Sequence, residues 1–285
     1  MTTRFRPFDV LVSLILGAAA VGCGDNADDL VEPYQSEPPV PGGWFQPAAT
    51  DTWQWQIEGA LNAAYDVRVY DIDLFENDAA AIAALKAEGR RVVCYFSAGT
   101  YEEWRDDAGD YPDAIIGEPL DDWPDERWVD VRSKTLRSIL EKRLDLAAEK
   151  GCDGVEPDNV TAFRNESGFD LTPEDQLGFN RWLADQAHAR NLAIGLKNDG
   201  DQAVELEPWF DFTVNEECHF YEECDQLAPF FAAGKPVFNA EYAGTATAAG
   251  KLAETLCPKA IAAGTRTLIL PLDLDDAFRV SCDAL

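Results

Sequence analysis

Between residues 52 and 272, short apolar runs with strand character alternate with longer stretches of helical period, an order that few folds accommodate. The strand candidates are residues 52–57, 67–74, 91–97, 153–158, 192–197, 212–216, 236–241 and 267–272. Helical patterns fall between them at 78–88, 133–150, 173–190, 202–206, 225–233 and 246–263, the third announced by a Thr172 N-cap and a first-turn Pro173. Strands that alternate with helices run parallel through right-handed crossovers, and eight of them predict an α/β fold closed into a (β/α)8 TIM barrel. An open doubly wound sheet is the alternative, but no Gly-x-Gly-x-x-Gly turn follows the first strand to hold a nucleotide phosphate. Residues 44–285 have the length of one such barrel, so a single domain is expected. Residues 100–132, carrying Trp104, Tyr111, Trp123 and Trp128, are expected as a long rim loop after the third strand.

The N-terminal residues fit export rather than folding. Arg4 and Arg6 precede an apolar stretch from Val10 to Val21, and Gly22-Cys23 supplies a small residue and a cleavage point, so residues 1–22 read as a signal peptide. Ala20-Val21-Gly22-Cys23 resembles a bacterial lipobox, which implies a lipid on Cys23, a place at the cell envelope and membrane contact through that anchor alone. An ordinary signal peptide is the alternative. Residues 23–43, rich in Asp, Glu, Pro and Gly, read as a disordered tether. Of seven cysteines, the six beyond Cys23 suit three disulfides in an exported protein. Proximity favours Cys218 with Cys224 and Cys257 with Cys282, while Cys94 and Cys152 fall at adjoining strand positions. With no Cys-x-x-Cys pair and two histidines, zinc is not expected, nor is any other metal or cofactor. The net charge of -30 argues against nucleic acid as a partner and would draw in a polycation.

Most residues capable of chemistry fall at the C-terminal ends of the predicted strands: Asp71 and Asp73, Ser97, Glu156 and Asp158, Lys197 and Asn198, Glu216 and Glu217, Glu241, and Asp273. In a barrel, one rim collects them all. The period of two places Glu156 and Asp158 toward the pore, opposite Val155 and Pro157. The same count, taking Thr213 and Asn215 as pore-facing, would make Glu217 the next inward residue on the sixth strand. Crowded acids repel one another at a cost of several kcal/mol unless protons or cations relieve it, so a functional reason is expected. Glycoside hydrolysis supplies one, since it needs a proton donor to the leaving oxygen and a carboxylate facing the oxocarbenium-like centre. Crowding also gives unequal pKa values, and Lys197 can hold one acid ionised. Trp53, Trp55, Tyr95, Phe220, Tyr221 and Tyr242 are placed to offer flat faces to sugar rings, Trp53 and Trp55 from one side of the first strand. His188, mid-helix and expected at the surface, and His219 are given no role.

At these residues the chain resembles glycoside hydrolase family 114, the endo-α-1,4-polygalactosaminidases. The similarity runs from Trp53 to Asp273 through Trp53-Gln54-Trp55-Gln56, Val69-Tyr70-Asp71-Ile72-Asp73, Tyr95-Phe96-Ser97-Ala98-Gly99, Gly154-Val155-Glu156-Pro157-Asp158-Asn159, Leu196-Lys197-Asn198, Asn215-Glu216-Glu217-Cys218 and Ala240-Glu241-Tyr242. The resemblance implies a barrel hydrolase cutting inside chains of α-1,4-linked galactosamine, a cationic polysaccharide, with Asp158 and Glu216 as the catalytic pair; a monomer is expected. The expected substrate-binding set is Trp53, Trp55, Asp71, Asp73, Tyr95, Ser97, Glu156, Asn159, Lys197, Asn198, Glu217, Glu241, Tyr242 and Asp273. The chain departs from the family pattern at Glu156 and Glu217, where Asp and Gln are frequent. Three other readings remain: a carbohydrate-binding barrel without catalysis, a hydrolase holding Mg²⁺ or Ca²⁺ on Asp71, Asp73, Glu156 and Asp158, and a structural lipoprotein with a solvating acidic surface.

Overall fold

A computed structural model describes residues 28–284; the expected signal peptide and Cys23 lie outside them. Eight parallel strands stand side by side in chain order: β1 Trp53–Gln56, β2 Val69–Asp73, β3 Arg91–Ser97, β4 Gly154–Asp158, β5 Ala193–Lys197, β6 Phe212–Glu216, β7 Val237–Tyr242 and β8 Arg266–Leu270. The helices α1 Ala79–Ala87, α2 Lys134–Lys150, α3 Pro173–Ala189, α4 Ala203–Leu206, α5 Ala228–Ala233 and α6 Ala246–Ala263 connect them, making a (β/α)8 barrel. Local chemistry sets the helix ends. Thr172 and Asp175 form a reciprocal capping box at the start of α3, Ser133 caps α2, and Gly151 ends α2 in the left-handed conformation.

The ring is not closed by a backbone ladder between β1 and β8 among the described residues. Residues Val280–Ser281 instead pair antiparallel with the free edge of β8, held to α6 by the Cys257–Cys282 disulfide. Side chains bridge the remaining seam: the Trp53 indole donates to the Arg266 carbonyl at 2.8 Å, and Arg279 donates to the Trp53 carbonyl at 2.8 Å. The other two disulfides, Cys94–Cys152 and Cys218–Cys224, complete the expected set of three. Three bridges in one chain belong to a protein that matures in an oxidising compartment.

Two packing layers result. Outside the sheet, Tyr70, Ile72, Val92, Phe96, Val155, Ile194 and Leu196 meet the helices. Inside, Trp53, Trp55, Val69, Val93, Ala193, Phe212, Val214, Phe238, Ala240, Leu268 and Leu270 fill the pore. Phe212 and Val214 face inward, so Thr213 and Asn215 face outward, opposite to the parity expected for β6. The cause lies outside the barrel: α5 is only six residues long, and a polar network backs β6, β7 and the start of β8, while α6 lays its apolar face only on Ile269. There Asn239 donates to Glu241, His219 bonds Thr265, and Thr213 donates to the Leu196 carbonyl.

The expected rim loop carries structure of its own. Thr100–Glu102, Glu126–Val129 and Ile116–Pro119 make a three-stranded antiparallel sheet with the middle strand central. Arg143, buried on α2, anchors this insertion by donating to Asp107 and to the Ser97 carbonyl. Residues 28–43, expected as a tether, run in part along the helices. Leu30 bridges Ser133, Tyr34 donates to Asp185 and Trp209 donates to Ser36. These residues supply side-chain oxygens that meet donors and acceptors on the barrel, which composition alone does not reveal.

Candidate active site

The C-terminal ends of β4, β5 and β6 each finish on a residue in the left-handed region: Asn159 at φ 61, Asn198 at φ 57 and Glu217 at φ 57. Asparagine tolerates this conformation, and the abrupt turn it makes leaves the preceding side chain standing at the rim. Those preceding residues are Asp158, Lys197 and Glu216. Gly99 makes room for the arrangement, because a Cβ there would stand 1.7 Å from the Asn159 carbonyl oxygen.

Lys197 is the centre. Its ammonium, buried with its whole side chain, lies 3.0 Å from Glu156, 3.2 Å from Asp158 and 3.6 Å from Glu216. It also sits over the Trp55 ring at 4.6 Å. Asp158 accepts from the Tyr95 hydroxyl at 3.1 Å and from the Asn159 backbone N–H at 2.6 Å. Glu216 accepts from the Tyr242 hydroxyl and from the Asn198 amide at 2.9 Å, while the Asn198 carbonyl oxygen takes the Glu216 N–H at 2.9 Å. Asn198 thus grips both the backbone and the carboxylate of Glu216.

Burial pushes the Glu216 carboxyl up, but Lys197, Tyr242 and Asn198 together outweigh it and hold the group below its ordinary value. Glu156 lies one layer deeper and accepts from the Trp55 indole at 3.0 Å. Its burial raises it to about 7 against the pull of Lys197. Asp71, deeper again, is raised well above the carboxylate range by burial and by the charge of Glu156, so it stays protonated. Burial opposes the charge on Lys197, yet Asp158, Glu156 and Glu216 raise its pKa well above that of a free lysine.

These groups floor an open groove of about 790 Å³. Trp55, Asp73, Tyr95, Asp158, Asn159, Lys197, Asn198, Glu216, Tyr242 and Asp273, all among the candidates read from the sequence, line it. Asp73 is fully engaged, holding Arg105 at 2.8 Å and accepting from the backbone of Phe75 and Glu76. Ser97 is buried below, taking the Asn159 amide at 2.9 Å. Six expected substrate contacts do not line the groove: Asp71, Ser97 and Glu156 lie buried beneath it, and Trp53, Glu241 and Glu217 are placed elsewhere. Trp53 is a core residue, stacked on Phe238 beneath Trp55. Glu241 points outward because β7 carries Phe238, Ala240 and Tyr242 inside, and it accepts from the His219 backbone. Glu217 turns away at its positive φ. Phe220 and Tyr221 are exposed on the disulfide loop outside the groove. His188 is buried rather than at the surface, bonded to Asp211 and stacked on Trp44.

Sequence reasoning missed Arg105, Asp125, Glu126 and Asp275 along the groove. No strand periodicity marks the insertion that supplies Arg105, Asp125 and Glu126, although its tryptophans signalled that it belongs to the rim.

Comparison with known proteins bears on this arrangement. The model of glycoside-hydrolase family GH114 matches residues 35–285. The crystal structure of Aspergillus fumigatus Ega3 in complex with galactosamine is 42% identical, covering 87% of this chain and 99% of that one, with a TM-score of 0.78. The glycoside hydrolase domain of PelA from Pseudomonas aeruginosa shares the fold at 15% identity and a TM-score of 0.64, over 81% of this chain and 97% of that domain. No curated protein matches the sequence.

Proposed function

The chain belongs to glycoside-hydrolase family GH114, and from that premise we propose an endo-acting hydrolase of α-1,4-linked galactosamine-rich polysaccharide with Asp158 and Glu216 as its catalytic pair. One observation carries the reading. Two carboxylates from β4 and β6 converge on a single buried ammonium at the floor of a long open groove. Their Lys197-facing oxygens therefore lie no more than about 7 Å apart, a bound that admits the roughly 5–5.5 Å spacing of a retaining glycosidase.

In that mechanism one carboxyl gives its proton to the glycosidic oxygen while the other bonds to the anomeric carbon as the leaving chain departs. Water then attacks that carbon, returning its proton to the first group and freeing the second. Tyr95, the Asn159 N–H and Lys197 orient Asp158; Tyr242 and Asn198 orient Glu216. The ammonium of Lys197 stands between three of the groove's acids, where a bound metal would otherwise have to sit, which favours acid–base chemistry by the side chains over metal-assisted hydrolysis.

A galactosamine polymer freed of its acetyl groups is cationic, matching the acidic groove and the chain's net charge. Ega3 was crystallised with galactosamine, which supports the same sugar class here. We assign the mature protein to the cell envelope as a monomer anchored through an acylated Cys23. The test is mass spectrometry of products after incubation with α-1,4-galactosaminogalactan, chitosan and polygalacturonate. Hexosamine oligomers from the first polymer alone are expected; retained binding without products would favour a non-catalytic barrel.

A further inference from the structure

Glu126 has no evident structural reason to be an acid. It begins the central strand of the insertion directly opposite Glu102, a like-charge pairing that destabilises a sheet. Burial raises it to about 7. Its Oε2 accepts from the Thr100 hydroxyl at 2.7 Å and is 3.5 Å from the Asn159 amide, and a glutamine oxygen would take both. Its Oε1 has no protein partner among the described residues, and the side chain lines the groove. No cation there is free to pair with it: Arg105 is held by Asp73 and Glu102, and Lys197 by the three acids of the floor. Glu126 is also one residue removed from the chemistry, since Asn159 reaches it through the side chain and Asp158 through the backbone N–H. Trp123, three residues earlier in the chain, also lines the groove and is 48% exposed.

We propose that Glu126 recognises the free amine of a hexosamine ring next to the cleaved bond, and that Trp123 is the platform on which the ring packs. This rests on the polysaccharide hydrolase reading above, which already takes a free-amine galactosamine polymer, and adds to it the side chains that read that amine and seat its ring. An ammonium at Oε1 would supply the missing counter-charge, whereas an acetamide would leave the carboxylate buried beside a neutral, bulkier group. A Glu126→Gln side chain keeps the bonds to Thr100 and Asn159 but turns an amide N–H₂ to the groove, which repels an ammonium and suits an acetyl carbonyl.

The experiment compares the full-length wild type, Glu126→Gln, Glu126→Asp and Trp123→Ala on galactosaminogalactan at low and high acetylation, sequencing the new chain ends by mass spectrometry. Wild-type cuts should carry a free-amine residue at one fixed position beside the break. Glu126→Gln should lose that positional requirement, with kcat/KM on the deacetylated polymer falling about 10- to 100-fold, the worth of one charge-assisted hydrogen bond. It should lose little or nothing on the acetylated polymer. Glu126→Asp should keep the amine preference at reduced rate, and Trp123→Ala should raise KM on both polymers alike. A Glu126→Gln protein that retains the wild-type amine preference overturns the inference while leaving the hydrolase intact. A wild type that cleaves neither polymer removes the activity reading and this inference with it.

Discussion

Replacing Lys197 with methionine keeps the apolar stem of the side chain and removes the one charge shared by Glu156, Asp158 and Glu216. At separations of 3.0, 3.2 and 3.6 Å, each ion pair is worth roughly 5 kcal/mol at an effective dielectric of about 20. Desolvating the ammonium offsets most of that sum, and breaking a buried pair from one side leaves a net loss of about 3–5 kcal/mol. In a domain of this size such a loss lowers Tm by about 10 °C. The loss must depend on pH. Lys197 contributes to holding the folded-state pKa of Glu216 below its unfolded value, so that stability is present above the unfolded carboxylate range and disappears as pH falls through the folded value. The Tm deficit of Lys197→Met is therefore expected to be largest at pH 8 and to shrink toward pH 4.5, where protons take over the role of the ammonium. The acidic limb of the kcat/KM profile should move to higher pH in the same variant, because Glu216 is no longer held ionised. Thermal unfolding across that range, together with the pH–rate profile, checks both. An equal Tm loss at pH 4.5 and pH 8, or an unshifted acidic limb, would refute the placement of Lys197 at the electrostatic centre.

Asp158→Asn and Glu216→Gln should each bring polymer cleavage below detection while changing Tm by no more than about 3 °C, since each also relieves a crowded charge; full activity in either variant removes that residue from the pair. Glu126, Glu156 and Asp199 are all raised by burial to about 7. Each therefore stabilises the fold most when protonated and loses that contribution as pH rises from the ordinary carboxylate range through about 7, so Tm should climb as pH is lowered from 8 to 5.5. A flat or falling calorimetric Tm over that window contradicts the assignment. The Cys94–Cys152 bridge spans 58 residues and Cys218–Cys224 spans 6. Loop-closure entropy then makes alanine pairs at the two sites cost about 4 and about 2 kcal/mol, and denaturant unfolding that ranks them the other way would contradict the entropic account. Dialysis against EDTA should leave the rate on polymer unchanged, whereas a loss restored by Mg²⁺ or Ca²⁺ would point to a metal-assisted reaction.

The strand–helix order was legible because each barrel strand is a short apolar run bounded by helices with their own caps, as at Thr172 and Ser133. The positions of Asp158 and Lys197 followed from it, since a residue ending a parallel strand must reach the barrel mouth. Parity failed on β6 and β7. Reading inward faces from polarity assumes that the outer face packs on apolar helices. Here Asn215, Asn239, Glu241 and Thr267 are polar and buried behind the sheet, so polar character no longer marks the pore side. The three-stranded insertion was illegible for a different reason. Strands of three and four residues that pair across 23 intervening positions leave no periodic trace, and the insertion is anchored by Arg105 on Asp73 and by Arg143 on Asp107, contacts distant in sequence.

The depth at which the acids are stacked has a chemical consequence of its own. Four carboxyls, Asp71, Glu156, Asp158 and Glu216, share one ammonium, and if all were ionised Lys197 could not balance the pair at the rim. Burial of the deeper groups, and ion pairing with hydrogen bonding at Glu216, resolve this. Asp71, deepest, keeps its proton and lends a hydrogen bond that lowers its neighbour Glu156. Glu156, midway, titrates near 7, fixed by Trp55 from one side and Lys197 from the other. What remains of the ammonium's field is directed at Asp158 and Glu216, where solvent and substrate can exchange protons. Burial, Lys197 and hydrogen bonding thus hold Asp71, Glu156 and Glu216 in different states, and Asp158 and Glu216, each gripped by a tyrosine hydroxyl and held at its base by an asparagine, are the ones positioned to act on a sugar in the groove.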